Sequence, residues 1–189
     1  MQPKENNNPM DGGSSPVYDK NTLEFVTVAF EFCSWMESVG HDLPAFVDKA
    51  TKLLPLLYLK ATLLPETEAD DDAEVSHFVT EETYHALRER LAALLGEYDT
   101  YLETFTSDMQ YSDMPVAAFI SENLSDLYQD LGNFVSLFRQ GYEETMRLSL
   151  ALCTENFRMY WGQSLLNALK ALHAVRYNED MYLTEEETV

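Results

Sequence analysis

Apolar residues recur at spacings of three and four along most of the chain, a period that gathers them on one face of a helix. From Leu23 to Met36 the polar exceptions are Glu24, Thr27, Glu31 and Ser34, continued by Ser38, so the polar stripe is narrow. A helix apolar on about three sides is expected at the centre of a bundle, or lends its spare face to a partner subunit. Asp19 to Asn21 offers its N-cap. Asp42 and Pro44 mark the next start, and Phe46, Ala50, Leu53, Leu57, Ala61 and Leu64 carry the period to Pro65. Pro55 removes the bond to the Thr51 carbonyl, which predicts a kink or a break.

Residues 66–74, ETEADDDAE, repel one another and predict a solvated loop. Tyr84, Leu87, Leu91, Leu94, Tyr98, Tyr101 and Phe105 then predict a third helix running through Gly96. Asp113 before Pro115 caps an expected fourth helix with the seam Ala117, Ile120, Leu124, Leu127, Leu131, Phe134 and Phe138. Glu122, Asp126, Gln129, Asp130 and Asn133 form its wet side, and Gly141 is its left-handed C-terminal cap. Tyr142 to Arg176 reads as one long helix or as two joined near Thr154 or Gly162. The expected fold is all-α, an antiparallel bundle of five to six helices over residues 19–177, between a disordered N-terminal tail (1–18) and a frayed acidic C-terminal tail (178–189).

Composition narrows the function classes. The chain has 189 residues and a formal net charge of -21, which opposes direct nucleic-acid binding because phosphate recognition needs Lys and Arg. A partner attracted by that field has a basic surface. Residues 1–18 contain no apolar signal core, and no apolar run is long enough for a membrane span, so a cytoplasmic protein is expected. Cys33 and Cys153 lie in apolar helical sequence with no Cys-x-x-Cys pair, the pattern of reduced, buried thiols.

Specific chemistry is sparse. Glu74 with His77 and Glu82 with His85 match the Glu-x-x-His spacing of di-iron bundles, but that site needs the motif on two different helices. These two lie together, so neither a metal nor another cofactor is expected. No Gly-x-Ser-x-Gly elbow or glycine-rich phosphate loop occurs, and neither cysteine has a neighbouring His. Two features carry the remaining possibilities. Glu122, Asp126 and Asp130 make an acidic face that reads either as solvated surface or as a docking site. Asp108, Gln110, Tyr111 and Asp113, with Arg158, Trp161, Gln163, Asn167 and His173, form a polar set in otherwise apolar sequence. Buried polar groups need partners, so this set reads either as a structural network tying the 108–113 loop to the last helix or as a pocket for a small molecule or cation.

The blocks FVTVAFEFCSWME (25–37), LLPLLYLKATLLP (53–65), DMQYSD (108–113) and WGQSLLNALKALH (161–173) resemble a bacterial family of small acidic helical proteins classified only as a domain of unknown function. The resemblance implies a helical, cytoplasmic protein and supplies no activity or catalytic residues. The expected function is a non-enzymatic interaction or regulatory module, meeting a basic partner through the acidic face or a second copy through the first helix. The alternative is a bundle that binds a small molecule or cation, as an enzyme or without catalysis, built on the polar set.

Overall fold

The computed structural model describes residues 15–67, 76–103 and 116–178. In chain order these form α1 (Lys20–Glu37), α2 (Leu43–Thr62), α3 (Glu81–Leu95), β1 (Thr100–Glu103), β2 (Val116–Phe119), α4 (Ile120–Phe138), α5 (Glu143–Asn156) and α6 (Gly162–Arg176). The class is all-α with one small antiparallel hairpin, β1 against β2, in which Thr100 faces Phe119 and Glu103 faces Val116.

Local chemistry sets the ends. The Asp19 carboxylate accepts from Asn21 N at 2.8 Å, and Asp42 accepts from Ala45 N at 2.9 Å, satisfying donors that the first turns of α1 and α2 leave open. Upstream of that cap, Pro16–Tyr18 forms a 3-10 turn with Val17 fully buried, so residues 16–18, expected in the N-terminal tail, belong to the packed chain. Residues 1–14 and 179–189 of the two expected tails lie outside the described residues. Pro55 ends nothing: α2 runs through it to Thr62, with the proline ring on the exposed side.

The third helix is shorter than its apolar period suggests. Gly96, at φ 56°, stops α3, a 3-10 turn follows over Gly96–Asp99, and Tyr101 lies in β1. The fourth also starts later than expected, since Val116–Phe119 is strand and the helix opens at Ile120. Its first turn has no cap from Phe119. Asp99, brought alongside by the hairpin, accepts instead from Ser121 N at 2.7 Å and from Ser121 Oγ at 2.8 Å. Asp113, the expected cap, lies outside the described residues.

The central element is α4, not α1. Twelve of its nineteen residues are buried, including the small Ser121, Ser125 and Gly132, and it touches α1, α3, α5 and α6. Phe25 of α1 and Phe134 of α4 approach to 5.4 Å between ring centres, and Phe25 stacks on Trp161 at 6.3 Å. Each such buried ring or aliphatic side chain contributes about 1.5–3 kcal/mol. Tyr128 of α4 donates to Glu37 at the far end of α1, which makes the pair antiparallel. The α1–α2 bridges Lys49–Glu31 and Lys60–Glu24 also run in opposite directions along the two helices.

From Glu143 to Arg176 the backbone stays right-handed helical, with a five-residue π turn at Phe157–Trp161 between α5 and α6. It falls between the two joints considered, Thr154 and Gly162. The extra residue per turn rotates Trp161 wholly into the core, where its indole N–H donates to the Cys153 carbonyl at 3.1 Å. Gly162 permits the turn: a Cβ there would lie 2.5 Å from the Phe157 carbonyl oxygen. The close approach at Gly162 comes from its own rod, five residues back. Gly141, at φ 76°, is left-handed as expected and closes the turn after α4.

Candidate functional site

Among the described residues the polar set does not gather at one place. Asp108, Gln110, Tyr111 and Asp113 lie outside the described residues. Of the rest, Trp161 is core, Arg158 is exposed, and His173 packs at a tilt against Tyr177, 4.8 Å between ring centres, on the surface of α6. Gln163 donates to Asn167 at 2.9 Å, and Asn167 donates to Glu103 at 2.7 Å. That chain of bonds ties α6 to the end of β1.

Nor is the acidic side of α4 an open face. Tyr84 of α3 donates its hydroxyl to Asp126 at 2.8 Å, and Asn156 of α5 donates to Asp130 at 2.7 Å. Both carboxyls titrate above the usual Asp range: burial dominates in each, opposed by these hydrogen bonds and reinforced by a neighbouring acid, Glu122 for Asp126 and Asp126 for Asp130. Burial also pushes the Tyr84 hydroxyl up, with the facing Asp126 adding to the effect. Asn133, placed on the same wet side, holds Phe78 N and Val79 N through its Oδ1 at 2.7 and 2.9 Å. Of the three acids proposed for docking, only Glu122 remains exposed.

Those contacts instead build a cavity of about 300 Å³ between α4 and α5. Asp130 and Asn156 form its polar wall, Phe134, Leu137, Leu152 and Cys153 its apolar lining, and Ser76 and His77 its rim. The segment carrying the rim is anchored twice, by Asn133 and by Val79, whose methyl group fills the space beside Gly132 where a Cβ would come within 2.8 Å. His77 was visible only as half of a metal motif with Glu74, which lies outside the described residues. Glu82 and His85 are exposed on α3. Among the described residues no group of three His, Cys, Asp or Glu is arranged to hold a metal ion. Burial raises the Cys33 thiol to about 12 and Cys153 well above its ordinary value, so both thiols stay protonated and unreactive.

A second feature occupies the outer side of α2 and α6. Leu56, Leu59 and Leu63 repeat along the exposed side of α2, and Met159, Tyr160 and Leu166 continue the apolar surface on the π turn and α6. Tyr58 meets Phe157 at 5.3 Å between rings, and Pro55, Leu166 and Leu169 line one groove, which makes the two stripes continuous. α2, the π turn and α6 carry six of the chain's twelve Lys and Arg and one acid, Asp48; Lys49 and Lys60 reach across to Glu31 and Glu24 of α1, Lys52 and Arg176 share Asp48, and Arg158 and Lys170 lie on the π turn and α6.

A family model, Domain of unknown function (DUF5063), matches residues 16–178. The chain belongs to this family. The match begins where Val17 enters the core and ends just past α6, and the family description names no activity. No curated protein matches the chain. Among solved structures, the crystal structure of protein BF1032 from Bacteroides fragilis is 44% identical, with a TM-score of 0.75, over 86% of this chain and 99% of that one. Among the described residues, no helix is long and apolar enough to cross a membrane.

Proposed function

We propose that this DUF5063 protein is a non-enzymatic docking module of the reducing cytoplasm, and that the outer face of α2 and α6 receives an acidic, amphipathic segment of another protein. The observation that carries the reading is the exposure of Leu59, Leu63, Met159 and Leu166 on elements whose sequence holds six Lys and Arg against one acid, Asp48, in a molecule of net charge -21. An apolar centre with a charged margin of one sign is the composition of a specific interface. Charge decides the occupant. A second copy meeting the same face by twofold symmetry sets cations against cations, and an extended polyanion is repelled by the remaining surface.

This moves the expected interface. A basic partner at α4 has Glu122 but not Asp126 or Asp130, both held under neighbouring helices. A dimer through α1 has Leu23 and Phe30 to offer, and Arg139 already covers the Phe30 ring at 5.6 Å. Cross-linking mass spectrometry on the complex isolated from the native host tests the assignment. Cross-links from Lys52, Lys60 and Lys170 to an apolar segment flanked by Asp and Glu support it. Links to a basic segment, or links confined to α1 or α4, overturn it.

A further inference from the structure

We infer that the cavity between α4 and α5 binds a small organic ammonium ion, a primary amine carrying a short apolar body. The inference is independent of the docking face and rests on what lines the cavity. Asn156 Nδ2 engages Asp130 Oδ1 at 2.7 Å, and no other described residue donates to this carboxylate. Among the described residues no Lys or Arg lines the cavity, and the half-buried carboxylate has only His77, at the rim, as a basic group there. An ammonium group supplies a cation together with a donor for Oδ2. Beside the carboxylate, Phe134, Leu137 and Leu152 offer an apolar surface for the rest of the molecule.

Other ligand classes fit less well. An anion meets Asp130 directly, with Asp126 one helical turn away on α4. A neutral ligand leaves the carboxylate uncompensated. A divalent cation needs ligands that the described residues do not gather. Size sets the body: 300 Å³ is about ten times the ~30 Å³ that one water occupies, room for roughly ten non-hydrogen atoms. The site is preformed, because Asn133 and the Val79–Gly132 contact hold its rim in place without ligand.

Titration calorimetry with 2-phenylethylamine and isobutylamine on the full chain at pH 7, paired with amide chemical-shift mapping, tests the site. The expected result is saturable one-to-one binding of at least one amine, with shifts at Asp130, Asn156 and Leu152. Binding should weaken about tenfold or more for Asp130→Asn and for the neutral analogue 2-phenylethanol, the loss of one charge-assisted hydrogen bond. Asp126→Asn keeps the cavity wall and should bind as the parent does. Circular dichroism checks that both variants fold. Failure of both amines to saturate at millimolar concentration, equal binding to Asp130→Asn, or shifts scattered over the acidic surface overturns the inference.

Discussion

Removing the Asp99 carboxylate should cost far more than its place in a four-residue turn suggests. Asp99 is 7% exposed and supplies the first turn of α4 with the cap that Phe119 does not, accepting from both the amide and the hydroxyl of Ser121. Hydrogen bonds to a charged acceptor contribute about 1.5–3 kcal/mol each, and a buried donor left without a partner costs about 1–3 kcal/mol. Asp99→Ala removes both acceptors at once, and water replaces part of what is lost. The expected loss is about 3 kcal/mol, roughly 6–12 °C at ~2–4 °C per kcal/mol for a chain of this size. Ser121→Ala removes one of the two bonds and should cost about 1–2 kcal/mol. The double variant should then be less destabilised than the sum, by about 1 kcal/mol. Urea unfolding followed by circular dichroism at 222 nm measures all four corners of this cycle. Strict additivity, or an Asp99→Ala loss below ~0.5 kcal/mol, the range of an ordinary surface change, would refute the claim that this residue caps the central helix.

Three further outcomes follow from packing and charge. Gly162→Ala places a Cβ 2.5 Å from the Phe157 carbonyl oxygen and should destabilise by about 1–3 kcal/mol despite alanine's better helix propensity, read as a lowered urea midpoint; a stabilised variant contradicts the π turn. Trp161→Ala empties a fully buried site stacked on Phe25 and should cost about 3–5 kcal/mol, with the near-ultraviolet dichroism of the indole lost. Asp130→Asn should raise the melting temperature at pH 7, because the folded carboxyl titrates above its unfolded counterpart. Its stabilising contribution is complete below the unfolded Asp range and is lost as pH rises through the folded pKa. The gain should therefore shrink as pH falls toward ~4, the ordinary Asp value. A gain that stays constant with pH in scanning fluorimetry contradicts the assigned burial of the charge.

The parts of this fold that were legible in the sequence are those decided by near neighbours. Asp19 and Asp42 cap the helices they immediately precede, and Gly141 turns the chain just after α4. The end of α3 was hidden because Tyr98 and Tyr101 sit three residues apart in the turn and strand as they would in a helix, and four residues of strand are too few for a period of two to separate from 3.6. What stops the helix is Gly96, whose positive φ leaves no mark beyond the residue name. The breadth of α4's buried surface was concealed by Ser121, Ser125 and Gly132, residues that read as polar or as breakers yet bury well where helices approach closely. The candidate site was harder still. Asp126 and Asp130 read as surface charges until Tyr84 and Asn156, 42 and 26 positions away, are placed against them. Trp161, counted with the polar set, belongs to the core, and its indole N–H bonds to the Cys153 carbonyl of the same rod.

The claim on which the functional account stands is that the outer face of α2 and α6 is where a partner binds. Affinity for the partner isolated from the host, measured by surface plasmon resonance, tests it with Leu59→Glu and Leu166→Glu as interface variants and Phe30→Glu on α1 as the control. The account predicts a loss of about thirtyfold or more for each interface variant, the ~2 kcal/mol of a buried anchor residue, and an unchanged control. Undiminished binding by Leu59→Glu and Leu166→Glu, or a loss confined to Phe30→Glu, would contradict it.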